Sequence, residues 1–98
     1  MEIEKYTDGM TLTLILKGRL DTTTSPQLEK ILQEAIEGIT ELYMNFEGLA
    51  YISSAGLRVL LSAQKIMNRQ GTMVIQNVNE SVMEVLDITG FIDILTIE

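Results

Sequence analysis

The sequence contains no cysteine and no histidine. Without cysteine the chain can form neither a disulfide framework nor a thiolate metal site, which fits a reducing compartment. Without histidine it lacks the side chain that most often transfers protons near neutral pH. It also has no G-x-x-x-x-G-K-[ST] loop to hold nucleotide phosphates. These absences predict that the protein is not an enzyme and that it holds no metal ion or other cofactor.

Basic side chains are also scarce. Seven Lys and Arg residues stand against fourteen Asp and Glu residues, which gives a formal charge of −7. Because the bases are scattered along the sequence, we expect no basic stripe and therefore no nucleic-acid partner. The partners that remain are proteins.

No part of the sequence predicts a membrane segment or a signal peptide. No run approaches the ~20 apolar residues that cross a bilayer, and residues 1–5 have neither the basic start nor the apolar run of a signal peptide. A length of 98 residues fits one domain with its own core. We therefore expect a single domain over residues 1–98, monomeric, in the cytoplasm and away from membranes.

Hydrophobic periodicity and turn residues predict strands and helices in the order ββαβαβαβ. Strands joined by a helix normally run parallel through right-handed crossovers, so this order predicts an α/β fold with a mixed sheet and helices packed mainly on one side. Ser25 is predicted to cap the first helix, with Pro26 at its first position. The predicted strands are residues 3–7, 10–17, 42–46, 72–76 and 94–97, and the predicted helices are residues 25–38, 55–69 and a third from 79 or 81 to 90.

The loops after the parallel strands carry several polar side chains. Open α/β sheets place their binding sites at the carboxyl ends of such strands. Asp21 has two interpretations, as a turn residue that bonds its own backbone or as part of a binding site. The polar residues predicted to gather at this edge are Asp21, Glu47, Ser53, Ser54, Asn77 and Asn79.

Ser53 and Ser54 lie where a predicted strand meets the helix over residues 55–69. The free N–H groups and the positive dipole end of a helix N-terminus favour an oxygen atom or a phosphate. A serine hydroxyl can cap such a helix, which contributes about 1 kcal/mol, or it can carry a regulatory phosphate. The residues Ser-Ser-Ala-Gly-Leu taken alone favour the cap.

The same helix is more apolar than burial of one face requires. Val59 and Ile66 widen the arc of core residues well beyond a stripe of ~100°. Either the helix is wedged between neighbouring elements, or these two side chains form an apolar strip beside the serines for a partner to cover. Arg58 lies on the remaining polar face.

Residues 42–61, LYMNFEGLAYISSAGLRVLL, resemble the signature of STAS domains, the family of the bacterial anti-sigma factor antagonists. Gly18-Arg19-Leu20-Asp21, Asn77 and residues 87–91 match the family as well, so the resemblance covers nearly the whole chain. In that family the phosphorylated serine lies two positions before the glycine, and the resemblance implies that this serine is Ser54. An Asp usually precedes it, whereas this chain has Ser53.

The resemblance implies a partner-switching protein. Its unphosphorylated form would bind an anti-sigma factor that has an ATP-binding fold like that of histidine kinases and also acts as the serine kinase. That binding would free a sigma factor, and a serine phosphatase would reset the switch. Two alternatives remain: a STAS module of another partner-switching or lipid-transport complex, and a weak nucleotide-binding protein. The residues predicted to contact the partner are Asp21, Ser53, Ser54, Arg58, Val59 and Ile66.

Overall fold

The computed structural model describes residues 1–98 and contains a four-stranded sheet, three α-helices and one 3-10 turn. None of the helices is both long enough and apolar enough to cross a membrane. The order of elements agrees with the prediction as far as the third helix. The strands are β1 (Glu2–Asp8), β2 (Thr11–Leu20), β3 (Glu41–Ile52) and β4 (Thr72–Gln76), and the helices are α1 (Ser25–Ala35), α2 (Ser54–Gln70) and α3 (Glu80–Ile88), followed by the 3-10 turn Phe91–Asp93.

The four strands form one mixed sheet in the order β1-β2-β3-β4. β1 and β2 pair antiparallel as a hairpin, and β3 is parallel to both β2 and β4. Each parallel connection passes through a helix, α1 between β2 and β3 and α2 between β3 and β4. The predicted mixed α/β sheet is therefore confirmed.

One face of the sheet is buried beneath the helices, as predicted. Alternate residues of β2, namely Leu12, Leu14 and Leu16, have no exposed surface. The residues between them stay partly exposed, which is the period of two expected for a strand with one core face. Apolar residues of all three helices complete the core against these strands.

The predicted last strand, residues 94–97, is wrong. The chain makes the 3-10 turn Phe91–Asp93 instead, and the segment after it meets the sheet in a single isolated parallel bridge between Ile97 and Ile75 of β4. The turn continues into Ile94, whose N–H donates to the Phe91 carbonyl at 3.0 Å. Because the turn occupies these residues, too few remain to form a ladder with β4.

Strand β3 is longer than residues 42–46, because it continues to Ile52. Its pairing with β2 shifts register twice, between Ile15 and Lys17 and again between Gly18 and Arg19. Each shift absorbs an extra residue on β3 and interrupts the alternation of buried and exposed side chains. The alternation of buried and exposed residues that predicts a strand therefore stops at Phe46, although β3 itself continues to Ile52 beside the end of β2.

Helix α2 packs closely against the sheet at Gly56. A Cβ atom at this position would lie 2.7 Å from Leu20 Cγ and 3.0 Å from Ile52 Cγ1. These distances are shorter than ordinary contacts between carbon atoms. The absence of a side chain therefore lets α2 begin directly against the ends of β2 and β3.

We predict that Gly56→Ala destabilises the protein. In an open helix this change would stabilise by up to ~1 kcal/mol, whereas overpacking a core costs about 1–3 kcal/mol. Urea denaturation should therefore show a net loss in the free energy of unfolding. Ser62→Ala, on the exposed face of the same helix, serves as the control and should change stability by less than ~0.5 kcal/mol. A Gly56→Ala protein more stable than the wild type would contradict the close contact.

Candidate functional site

Main-chain hydrogen bonds hold the start of α2 in place. Ser53 is the N-cap residue with extended backbone (φ −105°, ψ 176°), and its carbonyl accepts the Leu57 N–H at 3.0 Å. Its N–H donates to the Leu20 carbonyl at 2.9 Å, which ties the helix to the end of β2. The Ser53 side chain makes no capping hydrogen bond, and its Oγ is buried without a partner. The capping interpretation is therefore wrong.

Ser54 is the first residue of α2, and it is exposed. The first turn of α2 contains no acidic residue, so no carboxylate of this turn competes for the free N–H groups. A phosphate on Ser54 would lie at the positive end of the helix dipole. Ser53 and Ser54 therefore differ in accessibility, because Ser54 is exposed whereas the hydroxyl oxygen of Ser53 is buried.

Asp21 follows β2 and forms the turn that leads into α1. Its Oδ1 accepts the N–H groups of Thr23 at 3.0 Å and Thr24 at 3.1 Å, so the turn interpretation is confirmed. The hydrogen bond from the Thr24 N–H holds the pKa of the Asp21 carboxyl below its ordinary 3.8, and the Thr24 hydroxyl, the Thr23 N–H and Arg19 lower it further. A partner contact by Asp21 stays a prediction.

Helix α1 has no side-chain cap, which corrects the role predicted for Ser25. Thr24 is the N-cap residue, and Ser25 is already helical. The Ser25 N–H and hydroxyl both donate to the Asp21 carbonyl. The Asp21 turn thus accepts the N–H groups of Thr23, Thr24 and Ser25, and the Gln27 N–H donates to the Thr24 carbonyl.

Two side chains beside the serines, Arg19 and Tyr51, were not predicted to belong to the site. They are paired across β2 and β3, and the Arg19 guanidinium lies 4.1 Å from the centroid of the Tyr51 ring. Arg19 Nε also lies 3.7 Å from Asp21 Oδ2. The second register shift creates this pairing, so spacing in the sequence could not have found it. The motif Gly18-Arg19-Leu20-Asp21 was the one available signal.

A cleft runs between α1 and α2 and is called here the α1–α2 cleft. One part, of about 370 Å³, lies near the start of α2 beside Arg58, and the other, of about 300 Å³, lies beside Ile66. The two parts adjoin each other, because Glu29, Val59 and Ser62 line both. The cleft therefore extends from the neighbourhood of Ser54 along most of α2.

Val59 and Ile66 have different environments in this cleft. Val59 is only 5% exposed, so at this position α2 is wedged between its neighbours. Ile66 is 41% exposed and offers the larger apolar surface. The apolar strip is thus narrower than predicted, with Val59 buried in the wall of the cleft and Ile66 at its open side.

The remaining polar residues expected at this edge contact β3 at points before its end at Ile52, so they are spread along the strand. β3 runs on for about 20 Å past Asn45, its last residue paired with β4. Asn77 donates to Asn45 Oδ1 at 3.1 Å, and Asn45 Oδ1 also accepts the Glu47 N–H. Asn79 caps α3 by accepting the Val82 N–H at 2.8 Å, and its Nδ2 donates to the Leu49 carbonyl of β3 at 2.6 Å. No group of three or more His, Cys, Asp or Glu side chains could hold a metal ion.

The family of this protein follows from a match over almost its whole length. A model of the STAS domain matches residues 2–98. The chain belongs to the STAS domain family. The resemblance carried by residues 42–61 is confirmed.

Relatives of this STAS domain are named as anti-sigma factor antagonists. BtrV of Bordetella bronchiseptica, whose name describes a candidate antagonist of this kind, is 37% identical over 92 residues, or 92% of this chain and 78% of that one. The anti-sigma-B factor antagonist of Staphylococcus aureus is 28% identical over 97 residues, or 97% of this chain and 90% of that one.

Among solved structures, the anti-sigma factor antagonist SpoIIAA has the same fold. Its unphosphorylated form gives a TM-score of 0.78 at 19% identity over 99% of this chain and 87% of that one. The phosphorylated form of the Bacillus protein gives 0.77 at 20% identity over 99% of this chain and 91% of that one. At this level of identity the likeness concerns the fold alone.

We predict that Asp21 makes the stability of the domain depend on pH. Because its folded-state pKa lies below the ordinary 3.8, the carboxylate stabilises the fold above that value, and the contribution is lost as the pH falls through the lower folded-state pKa. Asp21→Asn keeps an oxygen for the Thr23 and Thr24 N–H groups but removes the charge. The difference in free energy of unfolding between wild type and variant should be largest near neutral pH and shrink below about pH 4. Urea denaturation across this range measures it, and a difference independent of pH would contradict the assignment.

Proposed function

We propose that this STAS domain is an anti-sigma factor antagonist in a partner-switching circuit, with Ser54 as the switch. The unphosphorylated form binds an anti-sigma factor, which then releases its sigma factor, and phosphorylation of Ser54 weakens that binding. The observation that carries this proposal is the exposure of Ser54 at the start of α2, next to a serine whose hydroxyl oxygen is buried.

The relatives support the general role. BtrV and the anti-sigma-B factor antagonist of Staphylococcus aureus carry names that describe antagonists of anti-sigma factors, and each covers more than nine-tenths of this chain. Ser54 lies two positions before Gly56, which is the family position of the phosphorylated serine. The match to the family and the exposure of the hydroxyl therefore favour the same residue.

The partner surface in this proposal surrounds Ser54. Arg58 contributes an exposed cation one turn further along α2, and Ile66 contributes apolar area beside a cleft in which Val59 is buried. Ser53 acts through its main chain, because its Oγ is buried. Asp21 holds the neighbouring turn and presents its second carboxylate oxygen beside Arg19.

A phosphate on Ser54 affects the free protein and the complex differently. It adds about −1.5 to −2 charges at pH 7. In the free protein it stays in water beside the positive end of the α2 dipole, so the fold tolerates it. In a complex it would lose hydration and repel any acidic group of the partner. Phosphorylation therefore weakens association without unfolding the domain.

The kinase and the phosphatase are other proteins in this proposal. The anti-sigma factor, through its ATP-binding fold, transfers the phosphate to Ser54, and a serine phosphatase removes it. This chain acts as the substrate of both reactions. Ser53 replaces the acidic residue that usually precedes the phosphorylated serine, so both enzymes meet a less negative site than in most relatives.

Ser54→Ala and Ser54→Asp separate a switch from a structural role. Because Ser54 is exposed and follows the N-cap residue Ser53, neither variant should lose more than ~0.5 kcal/mol in the free energy of unfolding. Ser54→Ala should bind the anti-sigma factor like the wild type, whereas Ser54→Asp, a partial phosphate mimic, should bind on the order of tenfold more weakly. Isothermal titration against the anti-sigma factor that co-purifies with the unphosphorylated protein measures both affinities.

The matched control is Ser81→Asp, which places the same charge on an exposed serine in the first turn of α3. Its affinity for the anti-sigma factor should equal that of the wild type. If both Ser54 variants bind like the wild type and differ only in melting temperature, Ser54 is structural and the proposal fails.

A further inference from the structure

Every charged side chain of α2 is basic. Its 17 residues include Arg58, Lys65 and Arg69 but no Asp or Glu. These are three of the seven bases in a chain with fourteen acids. All three are exposed, and none takes part in an ion pair, since the two ion pairs of the structure are Lys17–Glu4 and Arg19–Asp21. One helix of an acidic protein therefore presents cations alone.

These three bases lie on one line along the helix. At about 100° per residue they fall within about 40° of one another, and the line from Arg58 to Arg69 is about 16 Å long. Ser54 continues the line one turn before Arg58. We call Arg58, Lys65 and Arg69 the basic stripe. The scattered bases of the sequence predicted no such stripe, and for α2 that prediction is wrong.

The basic stripe runs beside the apolar part of the α1–α2 cleft. Ile66 directly follows Lys65 and is 41% exposed, and Leu32 and Ile36 of α1 line the same part of the cleft. An apolar groove flanked by cations is complementary to a protein surface that carries an apolar side chain among carboxylates. A nucleic-acid backbone would find only three aligned bases on a protein of net charge −7.

We propose that the basic stripe extends the partner interface along α2 and binds an acidic surface of the partner protein. Carboxylates of the partner lie against Lys65 and Arg69, and an apolar side chain enters the cleft beside Ile66. This inference rests on the proposed function, and it adds residues up to about three turns beyond Arg58 to the recognition surface.

The stripe also gives the phosphate a second effect. The stripe carries three positive charges, and a phosphate on Ser54 adds about −1.5 to −2 at the end of the same line. It therefore cancels half or more of the attraction that steers an acidic partner toward α2. Phosphorylation should lower the association rate in addition to disturbing contacts in the finished complex.

Lys65 is the residue best suited to a test. Arg69 lies in the last turn of α2, where a cation also stabilises the negative end of the helix dipole. Arg58 shares the polar part of the cleft with Glu29. Lys65 lies in the middle of the exposed face of α2. Neither stabilisation of the helix dipole nor proximity to Glu29 therefore accounts for a cation at this position.

The test is the association rate of the purified anti-sigma factor with Lys65→Glu, measured by stopped flow at a series of salt concentrations. We expect the rate at low salt to fall on the order of tenfold, and the difference from the wild type to shrink as salt screens the charges. Arg69→Gln should show a smaller loss of the same kind. Lys5→Glu is the control, because it makes the same charge change at an exposed, unpaired lysine on β1. Circular dichroism melts confirm that each variant is folded.

The outcomes distinguish this inference from the proposed function. If Lys65→Glu associates like Lys5→Glu while Ser54→Asp still binds weakly, the inference fails and the proposed function stands. If Ser54→Asp also binds like the wild type, both fail. Duplex DNA binding, or self-association by light scattering, that is lost in Lys65→Glu would assign the stripe to a nucleic acid or to a second copy of this chain, and either result would overturn the inference.

Discussion

The close packing of Gly56 against Leu20 and Ile52 determines where α2 begins, and the candidate site depends on that position. With α2 seated on the ends of β2 and β3, Ser53 donates its N–H to Leu20 and its Oγ is buried, while Ser54 is exposed. A shift of one residue would rotate each helical side chain by about 100°. It would therefore change which serine hydroxyl can be reached by an enzyme.

The surroundings of Ser54 suit regulation by charge more than regulation by conformational change. Asp21 fixes the neighbouring turn through the Thr23 and Thr24 N–H groups, and the start of α2 is held by main-chain hydrogen bonds. A phosphate at the first residue of α2 meets free N–H groups and no carboxylate of that turn. In the proposed switch the domain would therefore keep its fold when phosphorylated, and the effect would fall on binding of the partner.

The order of elements up to α3 and the buried face of β2 could be predicted from the sequence, because both depend on local periodicity. The length of β3 could not, since two register shifts with β2 interrupt the alternation of its side chains. The early end predicted for β3 grouped Asn77 and Asn79 with Ser54 at one edge, whereas their side chains contact Asn45 and the Leu49 carbonyl. The prediction of a last strand was wrong for a related reason, because a 3-10 turn occupies part of that apolar segment.

The features of the site also divide into those that neighbouring residues in the sequence predict and those that depend on tertiary packing. The position of Ser54 near the start of a helix follows from the residues around it, and the proposal of Ser54 rather than Ser53 as the switch rests on the resemblance to the family signature. The burial of the Ser53 hydroxyl oxygen, the contact between Arg19 and Tyr51 and the burial of Val59 depend on packing between separate elements. The alignment of Arg58, Lys65 and Arg69 was available from helical spacing, but its significance required knowing that no acid pairs with them.

The most direct test of the central claim is to phosphorylate the protein with the anti-sigma factor kinase and ATP, map the phosphate, and compare the affinity of the two forms. Mass spectrometry should place the phosphate on Ser54, and isothermal titration should show that the phosphorylated form binds the anti-sigma factor at least about tenfold more weakly. Phosphate found mainly on Ser53, or equal affinity of the two forms, would contradict the account.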